Sequence, residues 1–273
     1  MNAIFRIRRL SPPGTPWLAL GLACLGLAGT SAQAGPVPLG LSIQGQVSVD
    51  DVFSSAPVGS GTQVVTNRIT SGGTSTSLGF NGTPVAATVQ GALTQTGDGI
   101  GSSMNMSGVF GPSGAATSGS VFVDYVLNLS NTSAYSYTAV FGATWFNTVA
   151  AAGGDAFAYN QWSLKDAGFN ELMATDHEVD TVYAGSNFNY DSVSQTLSVT
   201  LTAGQSASFS ALQQVRGGAN VAGSSYSGLL DVFLELRDVT GGPTNNVPLP
   251  GSLALASLGL LLLGRHRRRQ GLR

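Results

Sequence analysis

The sequence predicts an all-β protein, an antiparallel β-sandwich of about ten short strands. Apolar and polar residues alternate along much of the chain, whereas the periodicity of an amphipathic helix is nearly absent. Glycine supplies 37 of the 273 residues, about twice its usual share, and glycine-rich turns separate the alternating segments. These features are typical of a sandwich, and a closed barrel is the alternative.

The first half of the chain contains three predicted strands. Segments 41–50 and 62–70 alternate cleanly and are predicted to bury one face each. Segment 71–77 consists of Gly, Ser and Thr and is predicted to be a turn or flexible loop. Segment 84–94 is a further strand. Segment 97–119 is rich in Gly, Ser and Asn, so we expect loops between short strands, with disorder as the alternative.

The strongest strand signal starts at Ser120. In segment 120–130, Val, Tyr and Leu residues occupy every second position and are predicted to face the core. After a turn, segment 135–150 resumes as a long aromatic strand. The two segments form either a β-hairpin or the flanks of a sheet corner, and segment 156–164 follows as another strand.

The last third of the body contains one segment without a strand pattern. Residues 165–180 are predicted to contain a helical turn, since their composition favours a helix. Segments 195–202 and 206–215 are predicted to pair as a hairpin. Segment 229–239 closes the set, with its apolar residues on one face and its charged residues and Phe233 on the other.

The N-terminus has the pattern of a secretory signal peptide, predicted to span residues 1–34. Arginines at positions 6, 8 and 9 precede an apolar segment at 17–29. Ala32 and Ala34 occupy the small-residue positions that signal peptidase requires, so cleavage after Ala34 is expected. An uncleaved N-terminal anchor is the alternative.

The C-terminus, residues 247–273, has three parts in order. Prolines are followed by an uncharged apolar run at 251–264 and then by clustered arginines. As a helix the run spans about 21 Å, shorter than the hydrocarbon core of about 30 Å, so it is marginal as a permanent anchor. The basic cluster is expected to stay on the cytoplasmic side. The motif residues are Val247, Pro248, Pro250, Arg265, Arg267, Arg268 and Arg269.

In this arrangement the tail resembles the PEP-CTERM sorting signal, which an exosortase recognises in Gram-negative bacteria. Leu249 stands where the family usually has Glu. The resemblance implies export, sorting and proteolysis near the prolines, and it implies nothing about enzymatic activity. A Gram-positive sortase signal ranks behind, because its Leu-Pro-x-Thr-Gly motif is incomplete here. A plain tail anchor is the other alternative.

Charge is segregated between the ends and the body. The segment between the two signals contains all fourteen acidic residues but only four basic ones, a formal charge of −10. No basic patch is present to neutralise phosphates, so nucleic acid is not an expected partner. The only cysteine, Cys24, lies in the predicted signal peptide, which excludes disulfides and a cysteine nucleophile from the body.

Candidates for chemistry are few. His177 is the only body histidine, and it lies in the densest acidic segment. Asp176, Glu178 and Asp180 are candidate oxygen ligands for a metal such as calcium, although a solvated acidic loop is the favoured interpretation. No catalytic or cofactor-binding residues are predicted, and no cofactor is expected.

Aromatic residues on the strongest strands have two interpretations. They form either a sugar-stacking face or part of the core, and core packing is favoured because these strands are the most apolar. The residues concerned are Trp145, Trp162, Tyr135, Tyr137 and Tyr159.

The predicted organisation is a body at 35–239, alternatively divided near 111–119, a linker at 240–246 and the sorting signal. Expected partners are signal peptidase and exosortase, with the membrane contacted only transiently. We expect a secreted structural or adhesive protein of the Gram-negative cell envelope, extracellular surface or biofilm matrix. A carbohydrate-binding module of the polysaccharide matrix and a secreted hydrolase are the alternatives.

Overall fold

The computed structural model describes residues 34–111, 114–183 and 187–243, and these form thirteen β-strands and no helix. None of these residues therefore belongs to a helix able to cross a membrane. The strands are β1 Leu41–Val49, β2 Ser55–Val58, β3 Thr62–Ser71, β4 Thr74–Asn81, β5 Thr88–Ala92, β6 Gly99–Val109, β7 Thr117–Asn131, β8 Tyr137–Ala152, β9 Ala156–Asp166, β10 Glu171–Asp180, β11 Phe188–Leu201, β12 Ser206–Ala219 and β13 Ser225–Gly241.

The strands form two antiparallel sheets arranged as a sandwich, so the predicted all-β class is confirmed. The seven-stranded sheet has the order β10-β9-β12-β7-β1-β5, with β2 also paired to β7. The six-stranded sheet has the order β11-β8-β13-β6-β3-β4. The expected number and length of strands were wrong, since thirteen are present and β13 alone has 17 residues. Each sheet contains strands from both sides of 111–119, which meet where β1 pairs with β7 and where β6 pairs with β13.

The core lies between the two sheets, and the strongest alternating segments supply most of it. Every second residue of β7 from Val121 to Leu129 is buried, and so is every second residue of β13 from Leu230 to Leu236. These faces were predicted from their period of two. β7 and β8 belong to different sheets, so the aromatic segment after β7 forms the sheet corner rather than the hairpin.

Segment 97–119 was predicted to form loops between short strands, and this was wrong for residues 99–109, which form one long strand. Most of its first half is β6, which pairs with both β3 and β13 inside the six-stranded sheet. Its inward residues include Ile100, Met104 and Met106, all fully buried. The alternation is obscured because glycine, serine and asparagine, which are common in turns, occupy the positions between them.

Two further predictions in the second half were wrong. Residues 171–180 form β10, paired with β9, and contain no helical turn. Strands β11 and β12 do not form a hairpin, because β11 pairs with β8 while β12 pairs with β7 and β9 in the other sheet. Alternation alone does not distinguish a hairpin from a connection that crosses between sheets, since both strands bury one face in either case.

The core also contains neutral amide side chains that bridge the sheets. Asn160 of β9 is fully buried, and its Nδ2 donates to the carbonyl oxygens of Thr148 and Leu229, at 2.9 and 3.0 Å, in the opposite sheet. The same nitrogen lies 3.0 Å from Asn147 Oδ1. Gln213 of β12 donates similarly to the carbonyl oxygen of Leu230 at 2.8 Å. These amides fix the position of one sheet on the other through hydrogen bonds without burying charge.

One carboxylate, that of Asp98, joins two turns at the end of the sandwich. It is fully buried and accepts hydrogen bonds from the backbone N–H groups of Gly72, Gly73, Thr94 and Gln95, at 2.7 to 3.1 Å. Burial alone would raise the pKa of Asp98, but the backbone donors outweigh it and hold that pKa below its ordinary value of 3.8. Gly72 and Gly73 have φ of 56° and 75°, which suits the tight turn between β3 and β4.

Candidate functional site

The predicted metal candidates lie in a row on the outer face of β10. Asp176, Glu178 and Asp180 are alternate residues of this strand, so the Cα atoms of successive members are about 6.8 Å apart. Asp176 Oδ2 accepts from the Tyr159 hydroxyl at 3.2 Å, and Asp180 Oδ1 accepts from the backbone N–H of Val182 at 2.7 Å. The described ranges contain no group of three or more His, Cys, Asp or Glu residues placed to hold a metal ion.

Next to this row, Tyr159 connects the acidic strand to a basic residue. The guanidinium carbon of Arg216 lies 4.6 Å from the centre of the Tyr159 ring, a cation–π arrangement. Burial, followed by the negative charge and hydrogen bond of Asp176, raises the pKa of Tyr159. The outer face of β10 and β9 is therefore a row of solvated charged side chains, in which Asp176 is hydrogen-bonded to Tyr159 and Arg216 lies over the Tyr159 ring.

The two tryptophans pack against each other between the sheets. Trp145 and Trp162 are both buried, and their ring centres are 5.5 Å apart at an interplanar angle of 40°. Tyr137 is buried as well, while Tyr135 is exposed. The core-packing interpretation is confirmed for both tryptophans and for Tyr137, and the two tryptophans do not present a face on which a sugar could stack.

A polar cluster joins the two sheets beside these rings. Asp191 Oδ2 of β11 accepts from Trp145 Nε1 at 3.1 Å and from the Thr175 hydroxyl at 3.0 Å. His177 Nε2 lies 3.5 Å from Asp191 Oδ1. Asn147 Nδ2 donates to the Thr175 hydroxyl oxygen at 2.9 Å. The cluster therefore connects β10 of one sheet with β8 and β11 of the other.

The geometry of this cluster is that of a structural bridge. Asp191 accepts from side chains of both sheets, Trp145 of β8 and Thr175 of β10, and His177 lies beside its other carboxylate oxygen. The sequence reasoning treated His177 as part of an acidic loop. The signal that would have placed it between the sheets is the alternation of Met173, Thr175, His177 and Val179, in which two polar residues hid the pattern.

We expect Asp191→Ala to lower the free energy of unfolding by about 2–3 kcal/mol, because it leaves Trp145 Nε1 and the Thr175 hydroxyl without their acceptor. Urea unfolding followed by tryptophan fluorescence measures the change. Asp238→Ala removes an exposed strand aspartate and is the matched control, with an expected effect under about 0.5 kcal/mol. Equal effects of the two substitutions would contradict the bridging role.

An open depression, here called the outer groove, runs across the outer face of the six-stranded sheet. It has a volume of about 610 Å³. Phe146 projects into it from the middle of β8 with 42% of its surface exposed. Arg68 and Asp231 form an ion pair at 2.6 Å in its floor, and both side chains are more than one-third exposed. Its other lining residues include Ser103, Thr144, Ser192, Val193, Ser194 and Leu229.

Two glycines of β6 lie against Phe233, the aromatic ring that contacts Arg68. A Cβ at Gly99 or Gly101 would lie within 3.0 Å of the Phe233 ring, so these glycines let the ring lie close to β6. The guanidinium carbon of Arg68 is 5.0 Å from the centre of the same ring. Phe233 therefore holds Arg68 in a position to meet Asp231. Sequence reasoning missed Phe146, Arg68 and Asp231 as a group, although Phe233 and Asp231 were expected on the outer face of their strand.

The predicted signals lie outside the described residues. The structure begins at Ala34, so Ala32 and the rest of segment 1–33 are not described. The same is true of segment 244–273, which holds the sorting motif, the predicted apolar helix and the last three residues of the predicted linker.

The described residues define a two-sheet antiparallel β-sandwich. Residues 246–269 match the family described as the PEP-CTERM protein-sorting motif, which confirms the resemblance seen in the tail. The chain thus carries the motif of an exported protein that is sorted to the cell envelope, and the motif implies processing by an exosortase.

No curated protein matches the chain. Among solved structures, the VP2 subviral particle of infectious bursal disease virus is 13% identical, with 83% of this chain and 72% of that chain covered and a TM-score of 0.16. The Gx strain of the same virus is 10% identical, with coverage of 88% and 76% and a TM-score of 0.15. Scores this low support no inference about fold or function.

Proposed function

We propose that this protein is a structural or adhesive component of the extracellular surface or biofilm matrix of a Gram-negative bacterium. The observation that carries the proposal is the sorting motif at residues 246–269, placed directly after a β-sandwich whose last strand ends at Gly241. The body's formal charge of −10 supports it further, since a strongly charged surface keeps an exported protein soluble.

We propose in addition that the body has no catalytic activity. Its only histidine, His177, lies against Asp191 in the bridge between the sheets. The acidic row of β10 is solvated and has hydrogen-bond partners of its own. A carbohydrate-binding module is the second candidate function, and the outer groove is the observation that favours it.

Mass spectrometry of the protein isolated from the producing bacterium tests the sorting step. We expect an N-terminus at Gly35 and a C-terminus between Pro248 and Gly251, because signal peptidase and an exosortase remove the flanking segments. Pro248→Ala/Pro250→Ala should leave the tail attached and the protein in the membrane fraction. An intact Arg273 on surface-exposed protein, or unprocessed protein in the cytosol, would contradict the proposal.

A further inference from the structure

The outer groove is long enough to hold an extended ligand. It crosses five adjacent strands, β11, β8, β13, β6 and β3, a distance of about 19 Å at about 4.8 Å between strands. It is open along the sheet surface and does not enclose its contents. We propose that the outer groove binds a neutral polysaccharide chain. This inference rests on the proposed function, because it names the ligand of an adhesive surface protein.

The exposed ring of Phe146 supplies the aromatic part of the site. Phe146 points away from the core on β8, a strand in the interior of its sheet. Packing of the core therefore does not explain why a phenylalanine occupies this exposed position. Phe188 and Tyr190 lie on the same face at the start of β11, outside the lining of the groove, and their ring centres are 5.7 Å apart. The apolar face of a sugar ring packs well on an aromatic ring, and ligand sites are commonly lined by such rings with few polar groups.

Polar groups of the kind that bind sugar hydroxyls lie beside Phe146, on the side away from β11. The register aligns Asp231 with Phe146 on one side and with Ser103 on the other. The Asp231 carboxylate accepts hydrogen bonds, while Arg68 presents several N–H donors in a fixed plane. Because both side chains remain more than one-third exposed, each retains hydrogen-bonding capacity beyond the ion pair. Serine and threonine hydroxyls along β8 and β11 extend the same chemistry.

Charge selects a neutral ligand. Among the described residues, Arg68 and Asp231 are the only charged ones that line the groove, and they neutralise each other, so these residues supply no net positive charge to hold an anionic chain. The body as a whole carries −10 and repels polyanions within a screening length of about 8–10 Å. The same repulsion acts between two copies of the protein, which disfavours a second copy as the occupant.

Affinity gel electrophoresis of the mature protein tests the proposal. The probes are two neutral polysaccharides, dextran and hydroxyethyl cellulose, and the anionic polysaccharide alginate. We expect retardation by at least one neutral polysaccharide and none by alginate. Phe146→Ala should weaken apparent binding about tenfold or more, because it removes the central ring of the groove. Phe53→Ala removes an exposed phenylalanine outside the groove and should bind as the unmodified protein does.

Asp231→Asn provides a second test that changes the polar floor with little change in shape. We expect weaker binding of the same neutral polysaccharide at an unchanged melting temperature, so the result does not depend on whether Phe146→Ala folds. Absence of retardation by both neutral polysaccharides overturns the proposal. Equal binding by Phe146→Ala and Phe53→Ala, or retardation by alginate alone, also overturns it.

Two controls distinguish glycan binding from self-association and from the surface location of the protein. Light scattering without polysaccharide detects self-association, and a mobility change that follows protein concentration would assign the groove to a second copy and overturn the inference. Cell fractionation tests the surface location independently. Protein that is processed and surface-exposed but binds neither neutral polysaccharide refutes the glycan site and leaves the sorting proposal intact.

Discussion

Replacement of Asp98 by alanine is expected to lower the free energy of unfolding by about 3–4 kcal/mol, among the largest effects of any single substitution in this protein. The carboxylate is fully buried and accepts from four backbone N–H groups in two separate turns. Alanine leaves all four donors without a partner. Urea unfolding at pH 7 measures the loss.

The matched control is Asp51→Ala, which removes an exposed aspartate near the end of β1 and should change stability by less than about 0.5 kcal/mol. A loss at Asp98 no greater than that of the control would show that the two turns do not depend on this carboxylate. Hydrogen exchange at Gly72 and Gly73 gives a local measurement, because their amides are expected to lose protection in the variant.

The contribution of Asp98 depends on pH in a defined direction. Its folded pKa is held below the ordinary value of 3.8, so the folded state binds the proton less readily than the unfolded state. The stabilisation is therefore present above pH 3.8 and is lost as the pH falls through the folded pKa. Asp98→Asn cannot titrate, so its stability deficit relative to the unmodified protein should shrink below pH 3.8. A deficit that is constant with pH would contradict this.

Asn160→Asp is expected to cost about 4 kcal/mol or more at pH 7, or to prevent folding. The substitution is nearly isosteric, but it replaces an amide donor by an anionic oxygen. That oxygen would face three oxygen acceptors, on Asn147, Thr148 and Leu229. It would be fully buried and without a cation in contact. Asn128→Asp makes the same change on the exposed face of β7 and should cost less than about 0.5 kcal/mol.

The pH dependence of Asn160→Asp checks the cause. Burial among oxygens raises the folded pKa of the new carboxyl above its unfolded value of about 3.9, so the folded state favours the protonated form. The variant should therefore be closest to normal stability below about pH 4 and should lose stability as the pH rises through the folded pKa. A deficit that does not grow between pH 4 and pH 7 would show that the amide does not face the three oxygens.

Much of the fold was predictable because burial of one sheet face imposes a period of two on the sequence. The sequence predicts β1, β3, β7 and β13 for this reason, and the residues predicted to face the core in β7 and β13 are buried. β6 and β10 were missed because their inward positions include Ser102, Thr175 and His177. Such residues are compatible with the interior only when specific partners satisfy them, and those partners come from distant strands.

The candidate sites differ in the same way, since one consists of residues adjacent along the chain and the other of residues that only the fold brings together. The acidic residues of β10 were found in the sequence because they are adjacent along the chain, yet they do not form a metal site in the described structure. The outer groove was not found, because Arg68 and Asp231 are separated by 163 residues. Glycine in β6, which suggested a loop, turned out to admit the Phe233 ring that orients Arg68.

The sequence by itself determined the class of fold, the segregation of charge and the sorting motif at the C-terminus, because each depends on residues that are close together along the chain. Only the tertiary structure decided which strands are neighbours, that the tryptophans and His177 face the interior, and that an ion pair and the exposed ring of Phe146 share one groove. The physical reason is that strand pairing and cross-sheet hydrogen bonds are long-range, and an alternating pattern specifies which face of a strand is buried but not what it is buried against.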